Sequence, residues 1–199
     1  SNIKKPKISN KSNAIIFLNF QSLFKLLPQD DHIYLDILKK YPNCCFWFIH
    51  GMNNSITSIF KERISKLFQK AGYTFEKYSY FHPRCGQDEF FGLVEESDII
   101  LDSLNWSGGN TSLEAISLNK PIVTLPSSFM RGRYTFGILK ILGIEETIAS
   151  SEENYVEIAV RLARDIDFRN SIINKIKKNK NRLFNDDKPC LLYTSDAAD

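Results

Sequence analysis

Five short, mostly apolar runs alternate along the chain with segments of helical periodicity, and this alternation restricts the fold more than any single motif. AIIFLNF (14–20) is followed by QDDHIYLDILKKY (29–41), in which Ile33, Ile37 and Leu38 recur at helical spacing. CCFWFIH (44–50) is apolar almost throughout, as a strand covered on both faces is. A stripe of Ile56, Ile59, Phe60, Ile64, Leu67, Phe68 and Ala71 follows it, ended by Gly72. TFEKYSYF (74–81), DIILD (98–102) and PIVTL (121–125) supply three more strands, with helices expected over 87–97 and 110–119. Parallel neighbours need crossover connections and helices on both faces. The alternation therefore predicts an α/β fold, a Rossmann-like parallel sheet covered by helices on both faces. Helices are expected beyond the fifth strand over 129–142, 152–164 and 168–183, with Gly143 as a C-cap and Ser150 or Ser151 as an N-cap ahead of Glu152 and Glu153.

Composition sets the outer limits. A chain of 199 residues that is 43% hydrophobic buries one core of ordinary size and is short for two. The expected organisation is a flexible N-terminal arm over 1–13, one domain over 14–185, and a tail over 186–199. Its final CLLYTSDAAD lacks periodicity and reads as a frayed end or as residues foreign to the natural protein. The net charge of +3 is concentrated at Lys4, Lys5, Lys7 and Lys11 and in KIKKNKNR (175–182). These are solvated runs without interleaved aromatics, so no nucleic-acid partner is expected. Cys44, Cys45, Cys85 and Cys190 have no metal-ligand spacing. No apolar run is long enough to span a bilayer and the first residues are polar, so no membrane association is expected, and a reducing cytoplasmic or nucleocytoplasmic location is.

The stretch LDSLNWSGGNTSLEA (101–115) carries the chemistry. An apolar run ends in Asp102, breaks at Trp106-Ser107-Gly108-Gly109 and restarts as a helix at Asn110 or Thr111. In open α/β sheets, ligands bind beyond the carboxyl ends of strands, where this loop falls. Gly108 and Gly109 allow close backbone approach, and the following helix offers free N–H groups and a positive dipole end to an anion such as a diphosphate. Asn110, Thr111 and Ser112 add side-chain donors. Glu114 lies one helical turn beyond Asn110, on the same face, and can accept hydrogen bonds from the hydroxyls of a ribose. Taken alone, the stretch also reads as an ordinary loop with Asn110 and Thr111 capping a helix. It is not a dinucleotide fingerprint, because FLNFQSLFK follows the first strand where Gly-x-Gly-x-x-Gly would stand, and no Walker loop occurs.

The segment SDIILDSLNWSGGNTSLEAISLNKPIVTLPSSFMRGRYTFGILKILGI (97–144) resembles the nucleotide-binding signature of the O-linked N-acetylglucosamine transferase and SPINDLY-like glycosyltransferases, family 41. The resemblance extends through FLNFQSLFKLLP (17–28), FHPRCGQDEFFGLVEESD (81–98) and YVEIAVRLARDIDFRN (155–170), and so covers about residues 14–185. It implies the C-terminal, donor-binding half of a GT-B architecture, in which two Rossmann-like halves enclose the active site. The partners it implies are a nucleotide sugar, a protein acceptor, an N-terminal catalytic half and tetratricopeptide repeats. No cofactor is implied beyond the UDP-sugar used as donor substrate, and no metal.

The same resemblance assigns roles. Lys25 matches the lysine of an F-x-x-L-x-K loop that contacts the donor diphosphate, where a fixed ammonium would meet the charge that builds on the leaving group. Gly109, Asn110 and Thr111, next to the donor-binding candidate Gly108, match the diphosphate loop and Glu114 an acidic residue on the ribose. Animal members carry histidine and aspartate at the positions of Gly109 and Glu114, so the histidine's contribution is absent here. Arg84, Cys85 and Gln87 match a loop that reads the uracil edge, largely through backbone groups. Arg131 and Arg133 stand at the ligand edge beyond the fifth strand, where guanidinium groups reach phosphate or acceptor. His32, His50 and His82 form no triad, and no Asp-x-Asp motif occurs. The implied reaction is inverting, metal-independent transfer of N-acetylglucosamine to serine or threonine, in which this half alone is inactive. A GDP-fucose-using SPINDLY-like or other GT-B transferase, and a non-catalytic nucleotide-binding module, remain as alternatives.

Overall fold

The computed structural model describes residues 14–184. The arm expected over 1–13 and the tail expected over 186–199 lie outside the described residues. Five strands, β1 (Ile15–Asn19), β2 (Cys44–Ile49), β3 (Ser79–His82), β4 (Ile99–Leu101) and β5 (Ile122–Val123), form one sheet in the order β3-β2-β1-β4-β5. Every pairing is parallel, with Phe17 opposite Phe46 on one side and Ile99 on the other. The helices α1 (His32–Lys40), α2 (Asn54–Lys70), α3 (Gln87–Glu96), α4 (Asn110–Ser117), α5 (Tyr134–Ile141), α6 (Glu152–Arg164), α7 (Ile166–Asn179) and α8 (Asn181–Phe184) supply the cover.

The central strands are apolar on both faces because helices bury both faces: Phe17, Leu18, Phe46, Phe48, Ile99 and Ile100 are inaccessible to solvent. An aromatic cluster fills the space under α2, with the Phe48 ring 5.1 Å from those of both Phe60 and Phe81. On the other side of the sheet order, Tyr155 of α6 is buried and its hydroxyl donates to the Asp102 carbonyl at 2.8 Å, tying that helix to the end of β4.

Beyond shortened ends, such as β5 at Ile122–Val123, three boundaries differ from the sequence reading. The strand expected over 74–81 opens as a 3₁₀ turn, Phe75–Tyr78, because that turn drives the Phe75 ring inward against Phe68, 4.9 Å between centroids; pairing with β2 begins only at Ser79. The helix expected from 129 starts with a separate 3₁₀ turn, Met130–Gly132, before α5. The helix expected over 168–183 begins at Ile166, where the Asp165 carboxylate accepts from the Phe168 amide at 2.9 Å, and it divides at Lys180. Ser151 is the N-cap of α6, accepting from the Asn154 amide, and Gly143 takes a positive φ of 67° just beyond α5.

Candidate functional site

The strand order reverses at β1 and β4, which are neighbours whose connections leave toward opposite edges of the sheet. Such a switch point opens a crevice beyond the carboxyl ends of the strands. The loop after β1, which carries Lys25, and the loop after β4, which carries the two glycines, are its walls. They are tied together: the Gln21 side chain donates to the Trp106 carbonyl at 2.9 Å, and the Asn105 side chain donates to Asp30 at 3.0 Å. Lys25 closes a 3₁₀ turn, Leu23–Lys25, and its Nζ lies 4.7 Å from the centre of the Trp106 ring. The wall is braced from outside by Arg63 of α2, which donates to the Leu26 carbonyl at 2.8 Å and to both oxygens of buried Asp31 at 2.6 and 3.0 Å.

The glycine loop is held on its inner side by a buried polar group. The Asp102 carboxylate accepts from the Gly108 amide at 2.8 Å and from the Thr124 hydroxyl at 2.7 Å. Burial raises its pKa, against the pull of these hydrogen bonds. Thr135, at the start of α5, completes the support: its amide donates to Ser107 Oγ at 2.9 Å, and its hydroxyl lies 2.8 Å from both Ser107 Oγ and Ser112 Oγ. Gly108 is required by this packing, since a Cβ there would collide with Ser112 Oγ and stand 2.9 Å from Thr111 Oγ1. A Cβ on Gly109 would meet nothing within 4 Å, so the outer side of the loop is open.

On that open side, α4 starts at Asn110 with no side chain capping its amides. Asn110 and Gly109 are exposed and Thr111 is half-buried. Glu114, one turn on, is half-buried and its carboxylate has no hydrogen-bonded or ionic partner among the described residues; desolvation raises its pKa. Arg131 reaches the same rim, its guanidinium 5.3 Å from the Trp106 ring centre and 4.8 Å from that of Phe129. Lys25 and Arg131 thus meet at Trp106, just before the glycine loop, and Asn110, Thr111 and Glu114 follow that loop on α4. The Arg133 guanidinium donates to the Ser127 carbonyl at 3.1 Å and lies over the Phe136 ring.

Arg84 and Cys85 line an adjoining cleft of about 640 Å³, part of it open to solvent, beyond the ends of β1, β2 and β3. Phe20, His50 and Phe90 form its floor and sides. Gln87 opens α3, is exposed and does not line the cleft. Burial pushes the Cys85 thiol up and desolvation lowers the pKa of His50. Among the described residues no three His, Cys, Asp or Glu side chains are placed to share a metal ion.

The sequence reading missed Asp102, Ser107, Thr124 and Thr135 as the loop's supports, and Gln21 and Trp106 as its ties to Lys25. A carboxylate ending an apolar strand is the one local signal that was available. Thr135 has none, since it is brought in by the packing of α5.

A doubly wound parallel sheet with a glycine loop and a helix start beyond its switch point defines a Rossmann-like α/β module. The chain belongs to glycosyl transferase family 41, whose family model matches residues 5–194. It is 26% identical over 155 residues to a UDP-N-acetylglucosamine–peptide N-acetylglucosaminyltransferase of Caenorhabditis elegans, covering 78% of this chain and 13% of that protein. It is 24% identical over 161 residues to a SPINDLY protein of Solanum lycopersicum, covering 81% and 17%. The chain thus spans less than a fifth of the length of these relatives. Among solved structures it superposes on an O-GlcNAc transferase of Thermobaculum terrenum with a TM-score of 0.75 at 23% identity, over 89% of this chain and 34% of that one. On Anabaena HepE in complex with UDP and glucose the TM-score is 0.64 at 15% identity, over 92% and 49%. The fold is therefore that of GT-B glycosyltransferases.

Proposed function

We propose that this chain is the donor-binding half of an inverting, metal-independent glycosyltransferase that moves N-acetylglucosamine from UDP to a serine or threonine of a protein acceptor. The observation that carries the reading is the cross-tied pair of loops, which sets the Lys25 ammonium beside the glycine loop at the switch point. The diphosphate sits against the outer face of Gly108 and Gly109 and the amides of Asn110 and Thr111, where an uncapped helix start attracts an anion. Glu114 accepts from the ribose hydroxyls, and the base enters the cleft lined by Arg84 and Cys85. Lys25 meets the charge that develops on the departing diphosphate, a task otherwise given to a metal ion. The names of the relatives support the sugar and the peptide acceptor. The acceptor and the general base belong to parts of the protein beyond this sheet.

Calorimetric titration of the chain with UDP, GDP and ADP, with and without magnesium, tests the donor. UDP binding that prevails over GDP and ADP and ignores magnesium is expected. Preference for GDP would replace the donor with a guanosine diphosphate sugar, and equal binding of all three would remove the base-reading role of the cleft. In the full-length protein, Lys25→Ala is expected to lower turnover more than donor affinity; equal losses would refute a transition-state role.

A further inference from the structure

We propose that Trp106 is a positioning residue that gathers the Lys25 ammonium and the Arg131 guanidinium into one two-cation clamp on the diphosphate of a nucleotide ligand. This rests on the donor-binding reading above and adds to it how the cations are held. Lys25 Nζ is 4.7 Å and the Arg131 guanidinium carbon 5.3 Å from the centre of the same indole, so the two cations stand within about 10 Å of each other. Neither has a carboxylate partner among the described residues; their contacts are with aromatic rings, Phe24 for Lys25 and Phe129 for Arg131 beside the shared Trp106. A carboxylate would neutralise the cations, whereas a ring orients them and leaves their charge and N–H donors available to an anion.

The backbone that carries the ring is anchored by three contacts. Gln21 holds the Trp106 carbonyl, the Ser107 amide donates to the Arg131 carbonyl at 2.9 Å, and Asn105 is bound to Asp30. One indole therefore joins the loop after β1, the glycine loop and the 3₁₀ turn before α5. Both long side chains would otherwise lose much rotamer freedom on meeting a ligand, and holding them beforehand removes that loss. Trp106 is 41% exposed while Trp47, the other tryptophan, is 3% exposed, so a ligand-induced change in emission from exposed indole reports on Trp106.

The test uses the chain itself, titrated with UDP and with inorganic pyrophosphate by calorimetry and tryptophan fluorescence. Trp106→Leu is expected to weaken both ligands roughly 5- to 30-fold, the worth of two exposed cation–π contacts, and Trp106→Phe to restore affinity to within about 3-fold. In a Lys25→Met/Arg131→Met background, Trp106→Leu is expected to have no further effect. A Trp106→Leu loss that persists in that background, or one that Trp106→Phe shares, would show packing alone and overturn the clamp. If UDP binding falls with Glu114→Ala but not with the Trp106 and cation variants, the clamp fails while the donor reading stands. If the unaltered chain binds neither ligand, the donor reading fails and the clamp with it.

Discussion

Replacing Asp102 by alanine tests whether one buried carboxylate shapes the ligand loop. Its two oxygens accept from the Gly108 amide at 2.8 Å and the Thr124 hydroxyl at 2.7 Å, and Thr124 is wholly buried, so water does not take over the lost acceptors. A buried donor left unpaired costs about 1–3 kcal/mol, which gives about 2–6 kcal/mol for the two. Part of this is offset because burial of the ionised carboxyl is itself unfavourable. The net loss expected for Asp102→Ala is about 2–4 kcal/mol, or roughly 5–15 °C in Tm for a chain of this length. Asp102→Asn keeps an acceptor for Gly108 and offers its amide to the Thr124 oxygen, which then accepts, so it should cost under about 1 kcal/mol at neutral pH. The pH dependence has a definite sign. With the folded pKa raised, the favourable contribution of Asp102 is complete below the unfolded value of about 3.9 and is lost as pH rises through the folded pKa; the asparagine variant has no such loss and gains on the wild type as pH rises. Urea unfolding of the three proteins between about pH 4 and 8, with hydrogen exchange at the Gly108 amide, reads both effects. The reasoning is refuted if Asp102→Ala lies within about 0.5 kcal/mol of wild type, or if Asp102→Asn is damaged as much as Asp102→Ala.

Gly108→Ala should displace the loop, because the added Cβ collides with Ser112 Oγ, which is itself held by Thr135; a loss of about 1–3 kcal/mol in urea unfolding and of UDP binding in calorimetry is expected. Glu114→Ala should weaken UDP about 10- to 100-fold, the worth of hydrogen bonds to a charged group, and leave pyrophosphate unchanged. Because desolvation raises the Glu114 pKa, the wild-type advantage over Glu114→Gln should fade as pH drops, starting above the ordinary glutamate value of about 4.3. Arg63→Ala strands the Asp31 carboxylate, whose side chain is 5% exposed, and frees the Leu26 carbonyl; about 3 kcal/mol of stability should go, with faster amide exchange around Lys25.

The strands covered on both faces were legible because burial of that kind writes a continuous apolar run, as in CCFWFIH. TFEKYSYF misled because its alternation reads as a strand while its first half turns to bury Phe75. The candidate site is proposed from sequence where the chemistry depends on local residues: two glycines, a helix start and an acidic residue one turn later. Lys25 enters the candidate site only through family resemblance, since a lone lysine after a strand says nothing by itself. Long-range contacts were not legible. Thr135 stands 27 residues from Gly108 yet supports the same loop, and Trp106 meets Lys25 only because β1 and β4 are neighbours in the sheet. Nor were the contacts of Arg133 with the Ser127 carbonyl and the Phe136 ring legible from its place in the sequence.

The division of polar groups between the two sides of the glycine loop constrains the ligand. Inside, donors and acceptors are matched among Asp102, Ser107, Ser112, Thr124 and Thr135, so the loop keeps one shape without a ligand. Outside, Lys25 and Arg131 lack carboxylate partners among the described residues, and the start of α4 has no side-chain cap, a set that calls for an anion. The Glu114 carboxylate on the same helix has no partner among the described residues and is of the opposite sign. An inorganic anion would satisfy the first set and leave Glu114 unused, or repelling if close. A ligand carrying both a diphosphate and vicinal hydroxyls satisfies both, with its charged part at the start of α4 and its hydroxyls one turn along. The selectivity of UDP over pyrophosphate should therefore reside in Glu114, and the affinity common to both in Lys25 and Arg131.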